Sequence, residues 1–97
     1  MKNLKPEEYR VLCLSTAHYR VEDDTELAIL AKDSDMIFAR MYGFFIKLYS
    51  DMEFNEYAKL SNAVKAVIYW AFHNGYRMIE FDCDADKEEG LFPVFNW

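Results

Sequence analysis

The chain has 97 residues, the length of a single domain with one modest core. Its 17 acidic residues outnumber 11 basic ones, giving a formal net charge of −6, and the basic residues are scattered, so direct binding to nucleic acid is not expected. Because no apolar stretch approaches the roughly 20 residues of a transmembrane helix, we expect no membrane span. The acidic balance favours a protein partner with a basic surface, a metal ion, or solubility alone.

Aromatic side chains are frequent for this length, with eight Phe, seven Tyr and two Trp. Each buries on the order of 150–250 Å², so some should lie exposed or at an interface, as in a homodimer or a complex with another protein. The two cysteines, Cys13 and Cys83, are predicted to be buried, reduced thiols within strands. Residues 1–6 lack the apolar segment of a signal peptide, which favours a cytoplasmic protein.

The first half of the chain alternates between apolar segments and polar connections. Residues 9–14 predict a strand, and residues 15–18 predict a connection. Asp23 and Glu26 have the spacing of a capping pair, so a short helix should begin there and end at the acidic residues at 33–35.

An apolar segment at residues 36–50 contains Gly43 near its middle. A period of two places Phe44, Ile46 and Leu48 on one side, which predicts one or two strands. The glycine marks a turn, a bulge or a close backbone approach, and a tight hairpin at this point also fits.

Apolar residues then recur at helical spacing: Leu60, Ala63, Val64, Val67, Ile68, Ala71 and Phe72. This pattern predicts an amphipathic helix. Either Asn55 or Ser61 would cap its start, and Asn74-Gly75 supplies a left-handed stop.

The last quarter of the chain predicts a strand at residues 77–83, an acidic turn at 84–90 and an aromatic tail at 91–97. Pro93 confines the tail to an edge strand or a cover over the sheet, and the cover is favoured because exposed aromatic residues reduce solubility. The element order predicts a single α+β domain over residues 1–97. We expect an antiparallel or mixed sheet of about four strands, with two helices on one face.

Ser15, Thr16 and His18 form the first candidate site, since they follow a core strand and precede an acidic helix start. A hydroxyl near an imidazole can act as nucleophile and base. Catalytic partners normally meet across a fold, however, so a role in stabilising the turn is favoured and no catalytic residue is predicted.

Asp82, Asp84 and Asp86 form the second candidate site, because alternating aspartates offer oxygen ligands to a hard cation. A calcium loop does not fit, since Lys87 replaces the required glycine and Pro93 replaces the bidentate glutamate. A Mg²⁺ site at the strand end stays open. A solvated acidic turn is the favoured interpretation, so no metal or cofactor is predicted.

Short motifs occur in a definite order: Leu14-Ser15-Thr16-Ala17-His18, Tyr42-Gly43-Phe44, Phe81-Asp82 and Gly90-Leu91-Phe92-Pro93-Val94-Phe95-Asn96-Trp97. In these motifs the chain resembles a family of small uncharacterised domains found on bacterial plasmids, prophages and other mobile elements. It departs from that family by inserting Phe92 and by carrying Asn96 where an Asp is usual. The resemblance transfers no catalytic residue. It implies a protein that occupies a basic surface of a host defence complex, as an anti-CRISPR or anti-restriction inhibitor would.

The acidic connections are therefore predicted to bind a protein partner, in a non-enzymatic and inhibitory or modulating role. The residues assigned to this role are His18, Glu22, Asp23, Asp24, Asp84, Asp86, Glu88 and Glu89. Two alternatives stay open. One is a small ligand- or metal-binding domain or enzyme that uses the two candidate sites above, and the other is a homo-oligomeric module that pairs aromatic edges.

Overall fold

The computed structural model describes residues 8–49 and 59–96, which form a four-stranded mixed sheet with two helices. The elements are β1 (Arg10–Ser15), α1 (Val21–Ala31), β2 (Ile37–Arg40), β3 (Gly43–Lys47), α2 (Asn62–His73) and β4 (Tyr76–Asp82), with a 3-10 turn (Thr16–His18) after β1. The predicted α+β class is confirmed. Asn55, Trp97 and the acidic residues at 51–56 lie outside the described residues.

The strand order across the sheet is β1-β4-β3-β2. β4 runs parallel to β1 and antiparallel to β3, which itself pairs antiparallel with β2. Only Met41 and Tyr42 separate the paired residues Arg40 and Gly43, so β2 and β3 form the tight hairpin that the sequence allows. The carboxyl ends of β1, β2 and β4 consequently meet at one edge of the sheet, which we call the carboxyl edge.

One face of the sheet carries the core. Its buried residues are Leu14, Ile37, Phe44, Ile46, Ile79 and Phe81. The helix α2 contributes Val64, Val67, Ile68 and Ala71 to this core, and α1 contributes Leu27. The period of two in β3 and the helical spacing in α2 are thereby confirmed. Neither α1 nor α2 has the length and apolar character needed to cross a lipid bilayer.

The predicted start of α1 at an Asp23–Glu26 capping pair is wrong. The helix begins earlier, at Val21, with Arg20 as its N-cap. The carboxylate of Asp23 accepts a hydrogen bond from the Arg20 backbone N–H at 2.9 Å, so Asp23 supplies the acid half of a capping box, whose other half is missing because the Arg20 side chain cannot accept. The spacing alone misleads here because an acidic residue can occupy either end of that motif.

The predicted burial of the cysteines is also wrong, since both are exposed. Cys13 alternates along β1 with the inward Leu14, so its thiol lies on the face opposite the core. Cys83 lies in the turn just after β4 and not within the strand. The stop of α2 is as expected, because Gly75 has a φ of +87° directly after the helix.

Gly43 lies on β3 opposite Asp82 of β4, close to the backbone of that strand. A Cβ atom at this position would overlap the carbonyl oxygen of Phe81, so no side chain fits without separating the two strands. We expect Gly43→Ala to lower the free energy of unfolding by about 1–3 kcal/mol, the usual cost of overpacking, in urea denaturation followed by circular dichroism.

Gly90→Ala is the matched control, because a Cβ at Gly90 meets nothing within 4 Å. It should leave the unfolding midpoint close to that of the wild type. Equal destabilisation by the two substitutions would contradict the steric explanation for Gly43.

Candidate binding cleft

A buried histidine holds the 3-10 turn to the C-terminal segment. The Nε2 atom of His18 accepts a hydrogen bond from the Glu88 backbone N–H at 2.8 Å. Its Nδ1 atom lies 2.8 Å from the Pro93 carbonyl oxygen, which can only accept, so Nδ1 must carry the proton. His18 is therefore the neutral Nδ1–H tautomer, fully buried, with both nitrogens bonded to backbone groups.

The aromatic tail packs against the same turn. The backbone N–H of Phe95 donates to the Ala17 carbonyl oxygen at 2.8 Å, and the ring of Phe92 lies edge-on to His18. The Arg20 guanidinium lies 4.8 Å from the centre of the Phe95 ring, within the range of a cation–π contact. The predicted packing of the tail is confirmed for Phe92, which is buried in the core, and in part for Val94 and Phe95, whereas Leu91, Pro93 and Asn96 are exposed.

Ser15 stabilises the turn locally. Its Oγ atom accepts a hydrogen bond from the Ala17 backbone N–H at 3.0 Å. Since both nitrogens of His18 already bond backbone groups, the imidazole has no free nitrogen to take a proton from Ser15. The structure thus does not assemble Ser15 and His18 as nucleophile and base.

Asp23 joins the beginnings of the two helices. Its carboxylate accepts hydrogen bonds from the Ser61 backbone N–H at 2.7 Å and the Ser61 hydroxyl at 2.6 Å, besides the bond from Arg20. Asp23 is 1% exposed, and His18 is fully buried. In this structure these two members of the predicted partner-binding set hold the fold together and offer no surface to a partner.

The fully buried Tyr19 and the half-buried Asp24 form a second polar pair. The Tyr19 hydroxyl donates to Oδ1 of Asp24 at 2.8 Å. Desolvation by burial, reinforced by this hydrogen bond, raises the pKa of Tyr19 well above its usual value, so the phenol stays protonated and keeps donating. The hydrogen bond fixes the Asp24 carboxylate at the edge of a cleft.

That cleft has a volume of about 570 Å³ and opens at the carboxyl edge of the sheet. Its lining residues are Thr16, Ala17, Tyr19, Asp24, Arg40, Met41, Tyr42, Gly43, Phe44, Cys83, Lys87, Phe95 and Asn96. They come from the 3-10 turn, the start of α1, the β2–β3 hairpin, the turn after β4 and the tail. Segments far apart in sequence therefore build one concavity.

The two predicted acidic segments lie around this cleft. Asp24 lines it from the first turn of α1, and Glu22 is exposed in the same turn. Cys83 and Lys87 line it from the turn after β4, whose exposed acids are Asp84, Asp86, Glu88 and Glu89. The fold thus brings the remaining six members of the predicted set to one end of the domain.

Arg40 is one of the cleft residues that the sequence interpretation missed. Its guanidinium extends across Gly43, and Nη1 lies 3.3 Å from Asp82 and 3.6 Å from Glu80. The Nη1 atom is buried and makes no hydrogen bond with the described residues. The available signal was one cation directly before the hairpin in an otherwise apolar segment.

Asp82, Cys83 and Asp84 offer ligand atoms within 4.8 Å of one another. This group shares Asp82 and Asp84 with the predicted strand-end site, but it contains Cys83 in place of Asp86. The Asp82 carboxylate is already engaged, because one oxygen faces Arg40 and the other accepts the Asp84 backbone N–H at 2.9 Å. Desolvation and the neighbouring carboxylates raise the pKa of the Cys83 thiol, so the neutral thiol is favoured over a thiolate ligand. A cation here would have to displace Arg40.

Comparison with known proteins identifies a family. Residues 11–97 match the model of a family of unknown function, the C-terminal domain of DUF5983. No curated protein and no solved structure matches the chain.

The Asp23 bonds generate a stability prediction. We expect Asp23→Asn to lower the free energy of unfolding by about 1.5–3 kcal/mol, because the amide NH2 would face donors where the carboxylate accepts charge-assisted bonds. The measurement is urea denaturation, with Glu22→Gln as the control that removes an exposed charge from the same helix turn. Similar losses in the two variants would show that the charge, and not the buried bonds, matters.

The two hydrogen bonds of His18 generate a second stability prediction. His18→Phe leaves the Glu88 N–H and the Pro93 carbonyl without their partner, so we expect a loss of about 1–3 kcal/mol and faster amide exchange at Glu88. His73→Phe, at the exposed end of α2, should change neither quantity. If the Glu88 amide is equally protected from hydrogen exchange in His18→Phe and the wild type, the assigned hydrogen bond from Glu88 to His18 is wrong.

Proposed function

We propose that this chain, which belongs to the DUF5983 family, is a non-enzymatic binding protein whose carboxyl edge engages a basic surface on a protein partner. The observation that carries the proposal is the convergence of the two acidic segments around one cleft. Carboxylates from Glu22 and Asp24 on one side, and from Asp84 and Asp86 on the other, add their potentials at a single end of the domain. Such an end attracts Lys and Arg patches from a distance and orients them on contact.

Apolar groups next to the cleft support a lasting contact as well as electrostatic attraction. Met41 and Tyr42, at the tip of the β2–β3 hairpin, are 84% and 59% exposed. Aromatic and methionine side chains are enriched in the central part of protein interfaces, whereas charged side chains occupy the rim. A partner would therefore cover the hairpin tip and meet the acidic turns around it.

The kind of partner follows from the resemblance to domains of plasmids, prophages and other mobile elements. We infer that the target is a subunit of a host defence complex, in which a channel for nucleic acid presents clustered Lys and Arg. A rigid array of carboxylates competes with phosphates for such a channel. The domain would then act as an inhibitor or modulator of the complex.

The first experiment is affinity capture with the tagged chain from nuclease-treated lysate of the natural host, followed by mass spectrometry and measurement of Kd with the purified partner. Support requires a stoichiometric partner whose binding weakens as ionic strength rises. A partner that binds equally at low and high salt would contradict the acidic-surface mechanism.

Charge reversal then tests the surface directly. We expect the triple variant Asp84→Lys, Asp86→Lys, Glu89→Lys to raise Kd by at least about tenfold, because like charges at an interface cost several kcal/mol. The control is Asp33→Lys with Asp35→Lys, which reverses exposed charges beyond the other end of α1. If the triple variant and Glu22→Lys both leave Kd unchanged, the proposal is wrong.

A further inference from the structure

The strand β1 is outermost in the sheet, with β4 on one side and no described strand on the other. Residues 11–15 pair with β4 in a regular register. Among the described residues, none outside β4 forms a backbone hydrogen bond with residues 10–14, and the tail bonds Ala17, beyond the end of the strand. An edge strand of this kind keeps a row of backbone N–H and C=O groups with which a further strand can pair.

The sequence of β1 is typical of a strand that has a neighbour on each side. Residues 11–14 are uncharged and contain no proline, whereas an edge strand that avoids further pairing usually carries a charge, a proline or a bulge. Apolar groups remain accessible on both faces. Val11 is 44% exposed on the face opposite the core, and Leu12 is only partly buried on the core face. Such continuous apolar runs occur in strands that lie inside a sheet.

The other outermost strand, β2, is better protected against a further strand. It has only four residues and ends at the charged Arg40, and α1 packs against it. The helix α2 packs mainly on β4, one strand in from β1. Short edge strands, edge charges and covering helices are devices that prevent strand addition, and β1 has none of these within the described part of the chain.

The two ends of β1 differ in charge, and this difference favours a second copy of the chain as the partner. Arg10 and Arg77 are exposed at the amino ends of β1 and β4, near the exposed Glu8, and neither arginine is ion-paired with a described residue. At the other end, the turn after β4 has four exposed acids and one exposed lysine, and its Glu88 N–H bonds His18 just beyond β1. When two copies of β1 pair antiparallel, the arginines of each copy lie beside the acidic turn of the other, whereas parallel pairing sets like ends together.

We propose that a second copy of this chain pairs with β1 antiparallel about a two-fold axis, so that the two sheets join into one continuous sheet. The pairing uses the free backbone groups of β1 and buries Val11 and Leu12 of both copies. A two-fold axis makes the contact symmetric and closed, which limits the assembly to a dimer. The β2–β3 hairpin lies at the other side of the sheet and stays open. This dimer does not depend on the protein partner proposed above, so either proposal can fail alone.

The experiment measures the molar mass of the full chain by sedimentation equilibrium over about a hundredfold range of concentration. We expect a monomer–dimer equilibrium, with a dimer Kd at least about tenfold higher in Val11→Lys, because a lysine in each edge strand sets like charges close to the two-fold axis. The control is Phe38→Lys in β2, which should leave Kd unchanged. Phe38 is 45% exposed, nearly as Val11 is, and circular dichroism checks that both variants fold.

Amide hydrogen exchange of the wild-type chain tests the same pairing without any substitution. The amides of residues 10–14 that point away from β4 should exchange quickly in the dilute monomer and slowly in the concentrated dimer, whereas exchange at the tip of the β2–β3 hairpin should not change. The proposal is overturned by a monomer at every concentration, by equal weakening of the dimer in Val11→Lys and Phe38→Lys, or by exchange in β1 that is independent of concentration.

Discussion

The two hydrogen bonds made by neutral His18 are the interaction on which the structure of the carboxyl edge depends. Its imidazole bonds two backbone groups: the Glu88 N–H, in the turn before the tail, and the Pro93 C=O, within the tail. Because this bridge sets the path of the chain after β4, it also places Lys87, Phe95 and Asn96 in the wall of the cleft. The geometry of the cleft therefore depends on the buried imidazole of His18. A substitution of His18 would change the fold of the C-terminal segment and the wall of the cleft together.

Acidic residues serve two distinct purposes in this small domain. Asp23 is buried and satisfies three backbone or hydroxyl donors at the start of the two helices, which fixes both helices at the carboxyl edge. Its neighbours Glu22 and Asp24 lie in the same helix turn but face solvent and the cleft. Three consecutive acids thus divide into one that holds the structure and two that shape its surface, because a helix rotates each successive residue by about 100°.

Much of the fold was predictable because it follows from local periodicity. The spacing of Val64, Val67, Ile68 and Ala71 determined α2, and the alternation around Phe44 and Ile46 determined β3. The cleft was not predictable, because it requires the parallel pairing of β1 with β4 and the return of the tail, and both are contacts between distant segments. For the same reason the sequence predicted His18 and Asp23 to be surface residues. Their burial depends on contacts with residues that are distant in the sequence.

The separation of charge at the carboxyl edge constrains any function that the domain performs. The exposed acidic turns repel anions at long range, and the charge of Arg40 at the cleft is already balanced by its ion pairs with Asp82 and Glu80. This edge is therefore unfavourable for an anion, and most of all for a polyanion such as nucleic acid. A basic protein surface experiences the reverse, because the acidic turns attract it. A cation-rich partner resting on these turns would consequently cover the entrance to the cleft.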